Sequence, residues 1–167
     1  MNADLAPKKG RSFYLDVRDG LPILADTVRH IHCEHFVEHL EYEVAVEFFG
    51  ECRRVLRQNG TLRVVVPDLE KYIRAYYEND TEFFDRFRRL GGAQRELDTK
   101  ALVLNQMARM GGAHRLAWDF ETISKVLFQQ GFSKVARSSP GDVNAEFAID
   151  LADWWRPVES LYVNAAK

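Results

Sequence analysis

Cysteine is scarce in this sequence: Cys33 and Cys52 are the only two in 167 residues, and they form no CxxC pair. That excludes a disulfide scaffold and points to a reducing, cytoplasmic setting. No charge of one sign dominates. Lys and Arg number 23 against 25 Asp and Glu, a net charge of -2, so no global field calls for nucleic acid or an acidic membrane. No apolar run approaches the roughly 18 residues that a membrane span requires. The polar opening MNADLAPKKGR does not read as a signal peptide. Repeats and low-complexity tracts are absent too. What is present is 46% hydrophobic and 29% charged residues, enough for a core within a single domain spanning residues 1–167.

Periodicity divides the chain. RSFYLDV (11–17) and TVRHIHCE (27–34) read as short strands. From Tyr42 the period becomes helical, with Val44, Ala45, Phe48, Phe49, Cys52, Val55 and Leu56 on one face. Asn59-Gly60 supplies residues that end a helix in the left-handed conformation. Leu62, Val64, Val65 and Val66 then form a run apolar on both faces, as a buried parallel strand would be, and Pro67 stops it. Strand, helix and strand make a βαβ unit. Residues from about 69 to 116 carry three helical patterns, 69–78, 81–90 and 95–110, and read as a helical insert over a site. Asp119 caps a helix over 120–130, with Ile123, Val126 and Leu127 inward. FSKVARS and SLYVNAAK are strands, joined by a long connection that contains Trp154 and Trp155. The alternation defines an α/β fold with a largely parallel sheet.

One stretch concentrates chemistry. HIHCEHFVEHLEYE, residues 30–43, holds four histidines, a cysteine and four glutamates, and His35 to His39 spells HxxEH. As a zinc signature, HxxEH needs both histidines on one helical face. Here His35 falls where a strand hands over to a helix, and the third-ligand candidates Glu43 and Glu47 lie on that same helix. His30 and His32 share a strand face, which Cys33 joins only by turning round. The context argues against a metal, and none is assigned.

In longer context the same residues resemble the SAM-dependent methyltransferases of the Rossmann-like class. That family runs a strand ending in D, a loop LPF.D.S.D, a strand into HVLEHL, a helix ending RVLKPGG, and a strand L.I..PD. The matching positions here are Asp16, Leu21-Pro22-Ile23, Asp26, His35 to Leu40 and Arg54 to Gly60. GGAHRLAWDFETISKVLFQQGFSKV is similar to the family's GH....D...L...L...GF..V. The resemblance covers nearly the whole chain and implies a mostly parallel sheet with an antiparallel last strand. The family's opening strand and glycine-rich turn have no counterpart, so the sheet is expected to be N-terminally truncated.

The resemblance implies S-adenosylmethionine as cofactor and methyl transfer to a small or glycan-like acceptor. By position, Asp4 would take the ribose hydroxyls, Asp16 would lie near the adenine, and Glu34 would stand at the mouth of the second strand beside the cofactor. His35 is the candidate base, with Asp68 and His114 toward the acceptor. Two alternatives stand beside this reading: a methyltransferase-like partner subunit without the cofactor, and more remotely a zinc hydrolase built on HxxEH. The uncovered edge of the strand at 27–34 is expected to be closed by the strand at 11–17, by further chain, or by a second copy in a homodimer.

Overall fold

The computed structural model describes residues 3–4, 13–90, 97–141 and 156–167. The long connection with Trp154 and Trp155 lies outside the described residues. A four-stranded sheet carries the fold, in the order β3-β4-β6-β5. β3 is Val28–Glu34, β4 Leu56–Pro67, β5 Lys134–Arg137 and β6 Ser160–Ala166. β3 and β4 run parallel, and β6 lies antiparallel between β4 and β5. The sheet is therefore parallel except for its last strand, as expected. A separate parallel pair joins β1, Ala3–Asp4, to β2, Phe13–Tyr14. β2 thus pairs with β1 and not with β3, which corrects the expectation that this segment closes the β3 edge. Among the described residues β3 has a ladder partner on one side only.

Helix α1, Tyr42–Val55, crosses between β3 and β4 and buries Ala45, Phe48, Phe49, Cys52 and Val55. Its partner α5, Phe120–Gln129, buries Ile123, Val126 and Leu127. These faces meet the inner residues of β4 and β6 and the fully buried Trp118 in one core. Leu62, Val64, Val65 and Val66 are buried on both faces of β4, as their sequence run requires. Asp119 caps α5 by accepting from the Thr122 N–H at 2.8 Å.

The excursion after β4 folds as α2, Leu69–Tyr77, α3, Thr81–Leu90, and α4, Lys100–Arg109. It has its own small core of Tyr72, Ala75, Phe84, Phe87, Leu97, Val103 and Met107. An open cavity of about 400 Å³ lies between α4 and the turn Met110–Gly112. Among the described residues no helix is long and apolar enough to cross a membrane.

Between Leu56 and Thr61 the ladder of β4 with β3 is irregular, with Val28 opposite Leu56 and His30 opposite Thr61. Asn59 has φ of 60°, but α1 ends at Val55 with an extended Leu56, which corrects the expectation that Asn59-Gly60 ends the helix. Gly60 follows where the backbone is crowded: a Cβ there would lie 2.8 Å from the Arg57 carbonyl oxygen and 3.1 Å from that of Val28. Gly60→Ala is expected to cost about 1–3 kcal/mol. Urea unfolding reads it as a lower midpoint at unchanged m-value.

Candidate active site

The direction of β6 determines what gathers at one end of the sheet. β3 and β4 end at Glu34 and Pro67, whereas β6 begins there, with Ser160 opposite Pro67. The chain entering β6 is the single turn α6, Arg156–Glu159. His35, Asp68, Glu159 and Ser160 therefore converge on the edge where the parallel strands end, the usual place for a site in an open α/β sheet.

His35 stands immediately after β3 with φ of 46°. A non-glycine residue in this conformation is strained by about 1–3 kcal/mol and is held by its surroundings. Its N–H donates to the Val65 carbonyl at 2.8 Å, which fixes the turn. The imidazole Nε2 lies 2.9 Å from Ser160 Oγ and 3.6 Å from Glu159 Oε1. Its Nδ1 lies 3.3 Å from Glu38 Oε1. The ring is thus flanked by two buried carboxyl groups, with only 13% of its own side chain exposed.

Glu159 is the unusual group. Tyr72 Oη donates a short hydrogen bond to its Oε2. Among the described residues its Oε1, facing His35, has no hydrogen-bond partner. Burial pushes its carboxyl up to about 7, against the opposing pull of His35, the Tyr72 hydrogen bond and Arg156. Burial also holds the Tyr72 hydroxyl well above its usual range. Lys71 pins the start of β6 by donating to the Ser160 carbonyl at 2.7 Å, and burial lowers its pKa. A carboxyl that exchanges its proton near neutrality beside an imidazole is an arrangement suited to proton transfer.

The other expected site residues lie elsewhere or are already engaged. Glu34 is at the mouth of β3, but its carboxylate meets His32 Nε2 at 2.9 Å and Arg156 Nε at 3.1 Å. Asp16 is bound by Arg18: it accepts from the Arg18 N–H at 3.0 Å and from Nε at 2.9 Å, and the guanidinium holds its carboxyl down at about 2. Asp4 lies on β1, paired with Tyr14. Asp68 is 2% exposed and caps α2, accepting from the Glu70 N–H at 3.1 Å. Burial raises its pKa. His114 is half-buried and donates from Nδ1 to the Met107 carbonyl at 2.5 Å; burial lowers its pKa. It joins His39, not His35, with ring centroids 4.7 Å apart.

The geometry divides HxxEH. Val37–His39 is one 3-10 turn and the α-helix starts only at Tyr42, so His35 and His39 share no helical face. His35 faces Ser160, whereas His39 donates from Nδ1 to the Ala113 carbonyl at 3.1 Å. Cys33 and Cys52 are buried free thiols, both raised in pKa by burial. The sequence reading missed Glu159, Ser160 and Tyr72. The signal available was positional: a strand running antiparallel to the others begins where they end, so its first residues belong to the site.

This strand order, with the site at the carboxyl ends of the parallel strands, is the fold of the Rossmann-like SAM-dependent methyltransferases. Among solved structures, a SAM-dependent methyltransferase from Archaeoglobus fulgidus superposes over 95% of this chain and 68% of its own, with a TM-score of 0.55 and 16% identity. A SAM-dependent methyltransferase from Thermotoga maritima matches 94% of this chain and 65% of its own, with a TM-score of 0.51 and 12% identity. An O-methyltransferase candidate from Nostoc punctiforme matches 94% of this chain but 36% of its own, with a TM-score of 0.52 and 11% identity. The chain therefore spans between about a third and two thirds of the length of these relatives. No family model and no curated protein matches the sequence.

Glu159 makes stability depend on pH. Its carboxyl rises from an ordinary 4.5 to about 7 on folding, so between these values the folded chain holds a proton that the unfolded chain has released. The unfolded state then binds fewer protons, and stability falls as pH rises through this window. Glu159→Gln removes that loss. Relative to wild type it is expected to gain about 3 kcal/mol between about pH 4 and pH 8 in denaturant titrations.

Proposed function

We propose that the chain is a methyltransferase-type domain in which His35 takes the proton released when an acceptor hydroxyl or amine gains a methyl group. The observation that carries this reading is the His35 imidazole between Glu38 and Glu159 at the carboxyl edge of a methyltransferase sheet. Methyl transfer from S-adenosylmethionine is an in-line displacement, which depends on alignment and gains from a base beside the acceptor. His35 serves as that base. Glu38 holds its Nδ1 side, and Ser160 and Glu159 face Nε2. Tyr72 orients Glu159. The acceptor class remains the small or glycan-like molecule that the sequence resemblance implies.

The described residues do not by themselves fit the cofactor. Asp16 is engaged by Arg18, and Glu34 by His32 and Arg156, so neither carboxylate is free for ribose or adenine contacts. The one-sided β3 ladder suggests where a missing part of the site would join: a second copy of this chain pairing at that edge as a homodimer. The engaged carboxylates also favour a second reading, a partner subunit of the same fold that holds no cofactor.

Calorimetric titration with S-adenosylhomocysteine separates the two readings. The methyltransferase reading expects saturable heat at millimolar ligand or below, retained in His35→Ala because that residue acts on the acceptor. Absence of heat at millimolar ligand would establish the partner reading for this chain. Sedimentation velocity tests the edge: concentration-dependent dimerisation is expected, and a monomer throughout the micromolar to millimolar range contradicts it.

A further inference from the structure

Glu38, His39 and His114 form a second constellation, which shares Glu38 with the His35 site. One ligand atom from each lies within 4.8 Å of the other two. We infer that these three side chains bind a divalent transition-metal ion of the zinc class, with at least one coordination position open to water or a substrate oxygen.

Two observations beyond proximity support the site. The first is the orientation of the imidazoles. His39 Nδ1 is 3.1 Å from the Ala113 carbonyl oxygen, and His114 Nδ1 is 2.5 Å from that of Met107. A carbonyl only accepts, so each Nδ1 carries its hydrogen, and the neutral ring has its lone pair on Nε2. A metal-binding histidine is commonly held in this way, by a second-layer carbonyl that fixes tautomer and ring plane. The second is Glu38 itself. It is 1% exposed, and among the described residues neither of its carboxylate oxygens has a hydrogen-bond partner. A buried carboxylate oxygen without a donor is costly, and a cation satisfies it.

The backbone shows why residues so distant in sequence meet. The Glu38 carbonyl accepts from the N–H groups of Arg115 at 2.8 Å and Leu116 at 3.3 Å, which fastens the segment after the helical excursion against the Val37–His39 turn. Ligands about 2.1 Å from a tetrahedral ion stand about 3.4 Å from one another, so closure requires shifts of roughly an ångström, within the reach of rotamer adjustment. Two imidazoles and a carboxylate favour zinc-class ions over magnesium or calcium, which take oxygen donors. His39 is exposed, which leaves the ion accessible from solvent. This trio is not the HxxEH set: it keeps Glu38 and His39 but takes its third ligand from His114.

Equilibrium dialysis of the chelator-treated chain against Zn²⁺, with circular dichroism to confirm folding, tests the assignment. About one equivalent is expected in wild type and in His35→Ala, with affinity at least about tenfold weaker in His39→Gln and His114→Gln. The Co²⁺ adduct of wild type is expected to show the visible bands of a four- or five-coordinate ion, a readout independent of any variant. Binding of less than about a tenth of an equivalent in wild type overturns the proposal. So does undiminished affinity in folded His39→Gln and His114→Gln. Loss in His35→Ala with retention in His114→Gln overturns it in favour of the HxxEH pair.

Discussion

The structure depends on where β6 begins. Because this strand runs antiparallel between two parallel neighbours, Ser160 pairs with Pro67 and Glu159 is carried into the interior at the end of the sheet. A buried carboxyl needs a donor, a cation or a proton. Glu159 has Tyr72 on one oxygen and His35 facing the other, and burial raises its proton affinity to about 7. The left-handed turn at His35 and the Lys71 contact with the Ser160 carbonyl hold the parts of this arrangement in place. Each contact has a structural role, and together they place an imidazole between two acids.

Glu38 links the two constellations. Its Oε1 lies 3.3 Å from His35 Nδ1, and a ligand atom of the same carboxylate lies within 4.8 Å of His39 and His114. A cation held there would share this carboxylate with the His35 site. The two constellations thus meet at Glu38, although their histidines differ.

Much of the framework was legible in the sequence because it is written in local periods. The two-sided apolar run of β4, the inward faces of α1 and α5 and the Asp119 cap all follow from residues within a turn or two of one another. His35 was legible as the residue at the mouth of a strand. Its partners were not, since Ser160 is 125 residues away and no short-range pattern encodes that contact. Aspartates carry a second role that a sequence does not separate from ligand binding. Asp16 and Asp68 precede helical turns and accept backbone N–H groups there, and a cap and a ligand look alike in a sequence. The HxxEH spelling was set aside on its context, and the chain makes a strained corner and a 3-10 turn where that period presumes an α-helix.

The most direct test of the central claim is the ionisation of Glu159 itself. Side-chain ¹³C carboxyl NMR, followed against pH with Glu159 assigned through Glu159→Gln, measures it. The account predicts a midpoint near 7, moving higher in His35→Ala because His35 favours the ionised form. A midpoint at the ordinary 4.5, unmoved by removal of His35, would mean that Glu159 is solvated and uncoupled from the imidazole, and would contradict the account.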